Sequence, residues 1–401
     1  MTLKDIEAAR ARVQGVVQRT PLVYSQSLSR ASGREVYLKL ENLQTTGSFK
    51  LRGAVNRLKL LKERGEGERV VAASAGNHGQ AVALAAAYLK LAATIVMPQG
   101  ASISKQLATT SYGAQLILHG RDLSQSLEEA RVLESQGYIF IHPFDDPEVI
   151  AGQGTLGLEI LEDLPGVDTV VVPIGGGGLA AGTALALKGK NSQIKVIGVQ
   201  TAQVPSLTAA LEAGQPTSVP PHPTLADGIR VPQVGGHTLP ILKQYLDEVV
   251  LVDEAEIARA VLILLENKKV LAEGAGAVST AAFLGPLKKK ELGRRVVLVV
   301  SGGNMDIPLL ERVLVRGLLD RGRLLTLRVV LSDNPGSLGR LATLLGEVEA
   351  NILHLSHDRL GRDLPLDYTR VELNLETRGP EHGEQIITTL KESGYQVEVK
   401  V

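Results

Sequence analysis

The sequence predicts an α/β protein built on a mostly parallel, doubly covered sheet, followed by a smaller βαββαβ module of ferredoxin-like order. Three observations carry this reading. Short β-branched runs alternate with helical stretches from Val36 to Val300, the pattern of repeated βαβ units. Glycine-rich turns follow three of those runs directly, at the strand ends where open α/β sheets take their ligands. From Leu325 onward the pattern resets to strands of period two separated by two helical stretches. At 401 residues the chain also exceeds one ordinary core, so two or three domains follow.

In chain order, Ile6, Ala9, Val13, Val16 and Val17 sit near helical spacing, so the first helix runs from Met1 to about Gln18 and ends before Pro21. A strand from Val36 to Leu40 leads into Glu41 to Ala54, the segment that contains Gly47-Ser48-Phe49-Lys50. Further strands fall at Val70 to Ala73, Ala93 to Met97, Gln115 to Leu118, Tyr138 to His142, Thr169 to Pro173, Lys195 to Val199 and Arg295 to Val300. Arg316 to Arg323 reads as a polar bridge, which divides the chain into residues 1–320 and 321–401. Beyond it come a strand (Leu325 to Leu331), a helix (Leu338 to Val348), two strands (Ile352 to Ser356, Val371 to Leu375), a helix (Ile386 to Leu390) and a strand (Val397 to Val401).

Composition removes several classes of function. The 43 basic and 43 acidic residues balance, so no global field favours nucleic acid or an anionic membrane. A small neutral or zwitterionic ligand suits such a chain better. The absence of cysteine excludes disulfides, thiolate catalysis and cysteine zinc sites together. Eight histidines show no HExxH-like spacing, and no metal is expected. No apolar run approaches the roughly 20 residues of a membrane span, and the N-terminus reads as an amphipathic helix rather than a signal peptide, which implies a cytoplasmic protein. The lack of cysteine and the abundance of Arg, Glu and Leu lean thermophilic.

The candidate chemistry lies in four places. Lys50 follows an apolar ring, Phe49, and a lysine used as a carbonyl nucleophile gives up its proton more readily when buried beside such a neighbour. A lone lysine after a turn is, equally, an ordinary solvated helix residue. Ser74-Ala75-Gly76-Asn77-His78-Gly79 follows a strand and opens a helix, so it presents backbone N–H groups at a positive helix end that suits a carboxylate; Ser and Asn there also serve as simple N-caps. Gly175-Gly176-Gly177-Gly178-Leu179 costs backbone entropy that a plain connection does not require, which points to close approach by a phosphate. It lacks the GKS/T ending of a P-loop and the GxGxxG of a dinucleotide fold. Ser301-Gly302-Gly303-Asn304 closes the strand before it.

In this order the four segments resemble the pyridoxal-phosphate (PLP) enzymes of the tryptophan-synthase-β type, fold type II, and specifically the threonine and serine dehydratases. Thr224 to Gly228 and Glu273 to Gly276 match the same pattern, although the glutamate that some relatives use for a divalent cation is replaced by Pro223. The resemblance implies a two-lobed catalytic part over residues 1–320, with a smaller lobe of roughly 48–150 inserted in the larger. It implies that Lys50 carries pyridoxal 5'-phosphate and acts as the base. Phe49 then lies on the cofactor ring, Asn77 meets its 3-oxygen, Gly175, Gly176, Gly177, Gly178 and Leu179 hold its phosphate, and Ser301 meets its nitrogen. Ser74, Ala75, Gly76 and Asn77 would grip the substrate carboxylate. A serine at that nitrogen makes the ring a weaker electron sink than an aspartate would, which favours prompt β-elimination over transamination.

Asp333-Asn334-Pro335-Gly336-Ser337-Leu338 resembles the signature turn of ACT domains, with Pro335 at the first helical position. That implies an amino-acid effector, isoleucine or valine, bound at Asn334, Gly336, Ser337 and Leu338, and a homodimer or homotetramer formed through an open sheet edge. The activity implied is allosterically regulated elimination of L-threonine and L-serine to ketoacid and ammonia, as in the first step of isoleucine biosynthesis. Serine racemases share the motif order but need a second base where this chain has Ala75. A catalytically dead amino-acid sensor is the alternative from another class, and intact Lys50, Asn77 and Ser301 oppose it. Asp145, Asp146 and Gly152 to Thr155 read as turn and cap chemistry.

Overall fold

A strand that is apolar along its whole length has no face to show to water, and it can rest only inside a sheet covered on both sides. Val170 to Val172 and Val296 to Val300 are such strands, buried throughout. In the computed structural model, which describes residues 1–359 and 364–400, they are neighbours at the centre of a six-stranded sheet. The chain forms two units, Met1–Leu310 and Glu311–Val401.

The first unit holds β1 (Leu22–Tyr24), β2 (Glu35–Leu40), β3 (Arg69–Ala73), β4 (Ala92–Met97), β5 (Gln115–Leu118), β6 (Ile139–Phe140), β7 (Thr169–Pro173), β8 (Lys195–Thr201), β9 (Glu248–Val252) and β10 (Arg295–Val300). The larger sheet runs β1-β2-β10-β7-β8-β9, all parallel except the antiparallel edge strand β1. A second, wholly parallel sheet of four strands runs β5-β4-β3-β6. Parallel register brings the carboxyl ends of β2, β7 and β10 to one rim, where the turns at residues 175–179 and 301–304 lie; the turn at residues 74–79 follows β3 of the second sheet.

Several elements depart from the sequence expectation. The first helix is Leu3–Val13, because Gln14 turns extended at ψ 139° and Gly15 takes φ +82°. The predicted strand from Tyr138 to His142 shrinks to Ile139–Phe140: the His142 ring nitrogen Nδ1 accepts from the backbone N–H of Asp145 at 2.7 Å, turning the chain out of the sheet. Arg316 to Asp320 belongs to a helix, Ile307–Asp320, so the predicted polar bridge reduces to Arg321 to Arg323. β1 and β9 went unpredicted; each is an edge strand with one neighbour.

Gly152 to Thr155, read from sequence as turn and cap residues, lie inside the helix Pro147–Asp163. Their smallness serves packing. A Cβ on Gly182 of the neighbouring helix Gly178–Lys190 would stand 2.3 Å from the Ile150 carbonyl and 2.6 Å from the Gly154 nitrogen, so the two helices meet backbone to backbone. Asp146 does cap its helix, accepting from Glu148 N–H at 2.7 Å.

The second unit contains β11 (Leu324–Ser332), β12 (Asn351–Asp358), β13 (Tyr368–Glu376) and β14 (Gln396–Lys400), in the antiparallel order β12-β13-β11-β14. Together with the helices Ser337–Glu347 and Pro380–Glu392 this is the ferredoxin-like βαββαβ fold. Period-two alternation explains it: Leu327, Val329 and Leu331 are buried with Val371 and Leu373, whereas Arg328 pairs across strands with Glu372 at 3.0 Å. Val401, expected at the end of the last strand, lies outside the described residues. Among the described residues no helix is long and apolar enough to cross a membrane.

Gly182→Ala meets backbone that cannot give way, so it should destabilise the protein by about 1–3 kcal/mol. Gly339→Ala, at an exposed helical position with nothing within 4 Å, should instead stabilise its unit by about 0.5–1 kcal/mol. Denaturant midpoints of the two variants check the pair.

Candidate active site

Lys50 opens a helix, Lys50–Arg64, directly after a turn that only glycine can make. Gly47 sits at φ +70°, and a Cβ there would lie 2.3 Å from the Asn304 side-chain oxygen. This closeness stitches the lysine turn to the turn after β10. Phe49 N–H donates to the Ser301 carbonyl at 3.1 Å, Gly303 N–H donates to the Gly47 carbonyl at 2.9 Å, and Ser48 pairs with Gly302 as an isolated bridge. Two segments about 250 residues apart in sequence thus share one backbone frame.

The Lys50 side chain runs inward to donate from Nζ to the Pro143 carbonyl at 2.8 Å, with the Phe49 ring centroid 5.2 Å from the nitrogen. Burial pushes the Lys50 amine down to about 8, and the Glu273 charge only partly opposes it. An amine so placed is partly neutral near physiological pH, the state a nucleophile or base requires. Two histidines face the same region, and burial, joined by the Lys50 charge, drives His78 to about 3. His142 falls to about 4, chiefly through burial. Both are therefore neutral at pH 7.

Ser74 to Asn77 occupy the junction of β3 and the helix Asn77–Leu89, with Gly76 as its N-cap residue. The backbone N–H groups of Ala75 and Asn77 have no acceptor among the described residues. Asn77 is the hub of a side-chain chain: its Nδ2 donates to Glu273 Oε1 at 2.7 Å, and its Oδ1 accepts from Asn304 Nδ2 at 2.8 Å. Asn304 Nδ2 also reaches the Thr46 carbonyl at 2.7 Å. Burial, with the charge of Asp227 adding, pushes the Glu273 carboxyl up to about 8, against the opposing Asn77 hydrogen bond. Local sequence gives Glu273 no part of its own, because an acidic residue before a small-residue helix looks like a cap. Asp227, doubtful from sequence as a metal ligand, instead pairs with Lys105 at 3.2 Å.

The four glycines follow β7, and the helix Gly178–Lys190 begins at the last of them. Gly175, Gly176 and Gly177 donate no backbone hydrogen bond among the described residues, and Gly178 and Leu179 stand in the first helical turn, where N–H groups are unpaired by geometry. A buried row of orphan donors at a helix N-terminus suits a phosphate. The segment from His142 to Asp146 closes over this row. A Cβ on Gly176 would meet the Phe144 ring at 2.4 Å, and Asp145 accepts backbone N–H groups from Gly236 at 2.9 Å and His237 at 2.7 Å. Since Pro143 holds the Lys50 amine, this same strap joins the lysine to the glycines. Ser301 is buried and belongs to the site through the backbone frame it shares with Phe49; its Oγ lies 3.4 Å from the Ala275 carbonyl.

Phe49, Lys50, Asn77 and Ser301 therefore meet through the bonded frame, and the tetraglycine joins them through Pro143 and Phe144. Asn334, Gly336, Ser337 and Leu338 belong to the second unit. There the helix opens at Ser337, with Gly336 at φ +84° as N-cap, so Pro335 precedes the helix instead of starting it. Arg340 donates to Ser337 Oγ at 3.0 Å across the turn.

Residues 13–302 match the family model described as "Pyridoxal-phosphate dependent enzyme". An L-threonine ammonia-lyase of Thermotoga maritima is 48% identical over 400 residues, covering 100% of this chain and 99% of that protein. Among solved structures, the processed form of threonine deaminase isoform 2 from Solanum lycopersicum superposes with a TM-score of 0.75 at 35% identity, over 78% of this chain and 93% of that one. Maize serine racemase gives a TM-score of 0.74 at 34% identity, over 80% of this chain and 98% of the other. With its lysine, asparagine and glycine turns brought together from strand ends of two sheets, and with these matches along its length, the chain belongs to the family of pyridoxal-phosphate dependent enzymes.

Proposed function

We propose that the protein is an L-threonine ammonia-lyase that also accepts L-serine, releasing 2-oxobutanoate or pyruvate with ammonia. The observation that carries this reading is the buried Lys50 amine, held at the Pro143 carbonyl between a row of orphan N–H donors and the turn that ends in Asn77. The likeness along the full chain to an L-threonine ammonia-lyase supports the choice of reaction.

Pyridoxal phosphate, when bound, supplies an aldehyde for the lysine and an electron sink that acidifies the substrate Cα–H. The residues present fit it. Gly175 to Leu179 would take its phosphate through backbone N–H, Ser301 would face its nitrogen, Asn77 its ring oxygen and Phe49 one face of the ring. Ala75 and Asn77 N–H, with Ser74 Oγ, would hold the substrate carboxylate at the positive end of the Asn77 helix. Lys50 would take the α-proton on Nζ, because its lowered basicity leaves it partly neutral. The Cβ–O bond breaks and the hydroxyl would leave as water, with a proton equivalent to the one Nζ took up; the enamine set free hydrolyses to ketoacid and ammonia. Racemisation needs a second proton carrier on the opposite face of Cα, and Ala75 offers none.

The second unit acts in this reading as an amino-acid-sensing module of the ACT type. The left-handed Gly336 turn, with Asn334, Ser337 and Leu338 around it and Arg340 across it, supports an effector with a carboxylate, isoleucine or valine. A cytoplasmic homodimer or homotetramer working at the first step of isoleucine biosynthesis completes the proposal.

Lys50→Ala should abolish ketoacid release from L-threonine while leaving the circular dichroism unchanged. Substantial release by that variant, or loss of optical rotation in L-serine without ketoacid from the parent, would displace this function. PLP capture, followed as visible absorbance that Lys50→Ala lacks, should rise with pH through a midpoint near 8, since only the neutral amine attacks and the fraction neutral falls about tenfold per pH unit below that value. L-Isoleucine should suppress ketoacid release; release that it leaves untouched removes isoleucine as effector.

A further inference from the structure

The helix that begins at Lys50 carries a second cation two residues on. At about 100° per residue, positions 50 and 52 project about 200° apart, so their side chains leave opposite sides of the helix. Lys50 reaches the Pro143 carbonyl, while Arg52 enters the interior behind the helix and is completely buried.

All five N–H groups of Arg52 have acceptors, the full capacity of a guanidinium. Nε donates to Glu41 Oε2 at 2.8 Å. One terminal nitrogen donates to Thr155 Oγ1 at 3.1 Å and Glu159 Oε1 at 2.6 Å. The other donates to Glu41 Oε1 at 2.8 Å and Glu159 Oε2 at 2.9 Å. Glu41 follows β2, and Thr155 and Glu159 lie on the helix Pro147–Asp163, so the fork ties the Lys50 helix to two other elements. Lys39 of β2, also buried, balances the second carboxylate, donating to Glu159 Oε2 at 2.7 Å and to the Thr20 carbonyl at 2.7 Å. Burial alone would raise the Glu41 carboxyl, but the charge and hydrogen bonds of Arg52 outweigh it and hold it below its usual range.

A buried ion cluster adds little stability over apolar residues of the same volume, so its completeness here calls for a geometric purpose. The neighbouring contact supplies one. The Lys50 helix meets the Pro147–Asp163 helix at Gly53 and Gly152, where a Cβ on Gly152 would lie 2.5 Å from the Arg52 carbonyl. Two glycines in close contact have no side chains to interlock at this seam, so the turn of the helix about its axis is set by its other contacts. These are the core packing of Leu51, Val55, Leu58 and Leu61, the Asn56 amide donating to the Glu148 carbonyl at 2.6 Å, and the Arg52 fork two residues from Lys50. With the Lys50 nitrogen on an arm of roughly 8 Å from that axis, a rotation of about 20° moves it by about 3 Å, enough to lose its hydrogen bond.

We propose that Arg52 is a positioning residue for Lys50, its bidentate fork locking the rotation and depth of the helix that presents the amine. The proposal rests on the reading of Lys50 as the cofactor-bearing residue. Arg52→Lys keeps the charge but loses the planar five-donor fork. The groups facing the amine, Glu273, His78 and His142, are untouched by it, so a change in the amine's titration reports its placement.

The test measures PLP capture by the full chain as a function of pH, in the parent, Arg52→Lys, Thr155→Val and Leu156→Ala. Leu156 is a core residue of the Pro147–Asp163 helix, and its truncation supplies a loss of melting temperature without touching the fork. Arg52→Lys should move the capture midpoint from near pH 8 towards the free-lysine value of about 10.4, slowing capture at pH 7 by about tenfold or more. Thr155→Val should move it less, in the same direction, and decides the matter where Arg52→Lys does not fold. Leu156→Ala should leave the midpoint in place. Unmoved midpoints in both fork variants, or an equal shift in Leu156→Ala, overturn the positioning role alone. A parent without a Lys50-dependent band overturns the reading of the site and this proposal together.

Discussion

The closeness of two backbones, the turn before Lys50 and the turn after β10, is the constraint on which the rest of the first unit depends. Gly47 must lie against Asn304, and that contact aligns Phe49 with Ser301 and Gly303 with Gly47. Once the frame is closed, the start of the Lys50 helix is held against the turn after β10. Asn304 extends the same frame to Asn77, and Asn77 extends it to Glu273, so one crowded turn governs the placement of residues from four distant segments. Buried polar chains of this kind are worth most when every member is paired, and least when one is lost.

The electrostatics of the site follow from burial more than from charge pairing. Lys50, His78 and His142 all lose basicity chiefly because they are taken out of water. Glu273 moves the opposite way for the same reason. The interior therefore favours neutral forms all round the lysine, while fully charged pairs such as Arg52 with Glu41 stand behind its helix. Neutral groups in front and ionic ones behind are a consistent division between chemistry and scaffold.

Much of this was legible in the sequence where residues broke local rules. A run of four glycines, a glycine before a lysine segment and Ser-Gly-Gly-Asn after an apolar strand have no cheap local explanation; the first and last lie at strand ends in the structure, and Gly47 makes the turn that opens the Lys50 helix. The alternation of β-branched runs with helical stretches likewise gave parallel pairing, although the strands divide between two sheets where the alternation implied one. What stayed hidden looks ordinary in its own neighbourhood. Arg52 resembles a surface helix residue, Glu273 a cap, and Pro143 with Phe144 a plain turn; their partners stand tens to hundreds of residues away, beyond any local periodicity. Gly152 to Thr155 misled for the converse reason, since glycine punctuates turns far more often than it permits helices to touch.

The Gly176 contact with Phe144 bears on how such a site can diversify. A cradle made of main-chain N–H groups carries no side chains to exchange, and any addition there takes away room. Under the proposed function, changes of substrate would then arise beside the row, at positions such as Ala75 or Phe144, where a side chain already stands and its volume can be traded. Under that same function, the main-chain row would hold an anion whatever side chains stand around it, so one scaffold could serve neighbouring chemistries without rebuilding its centre.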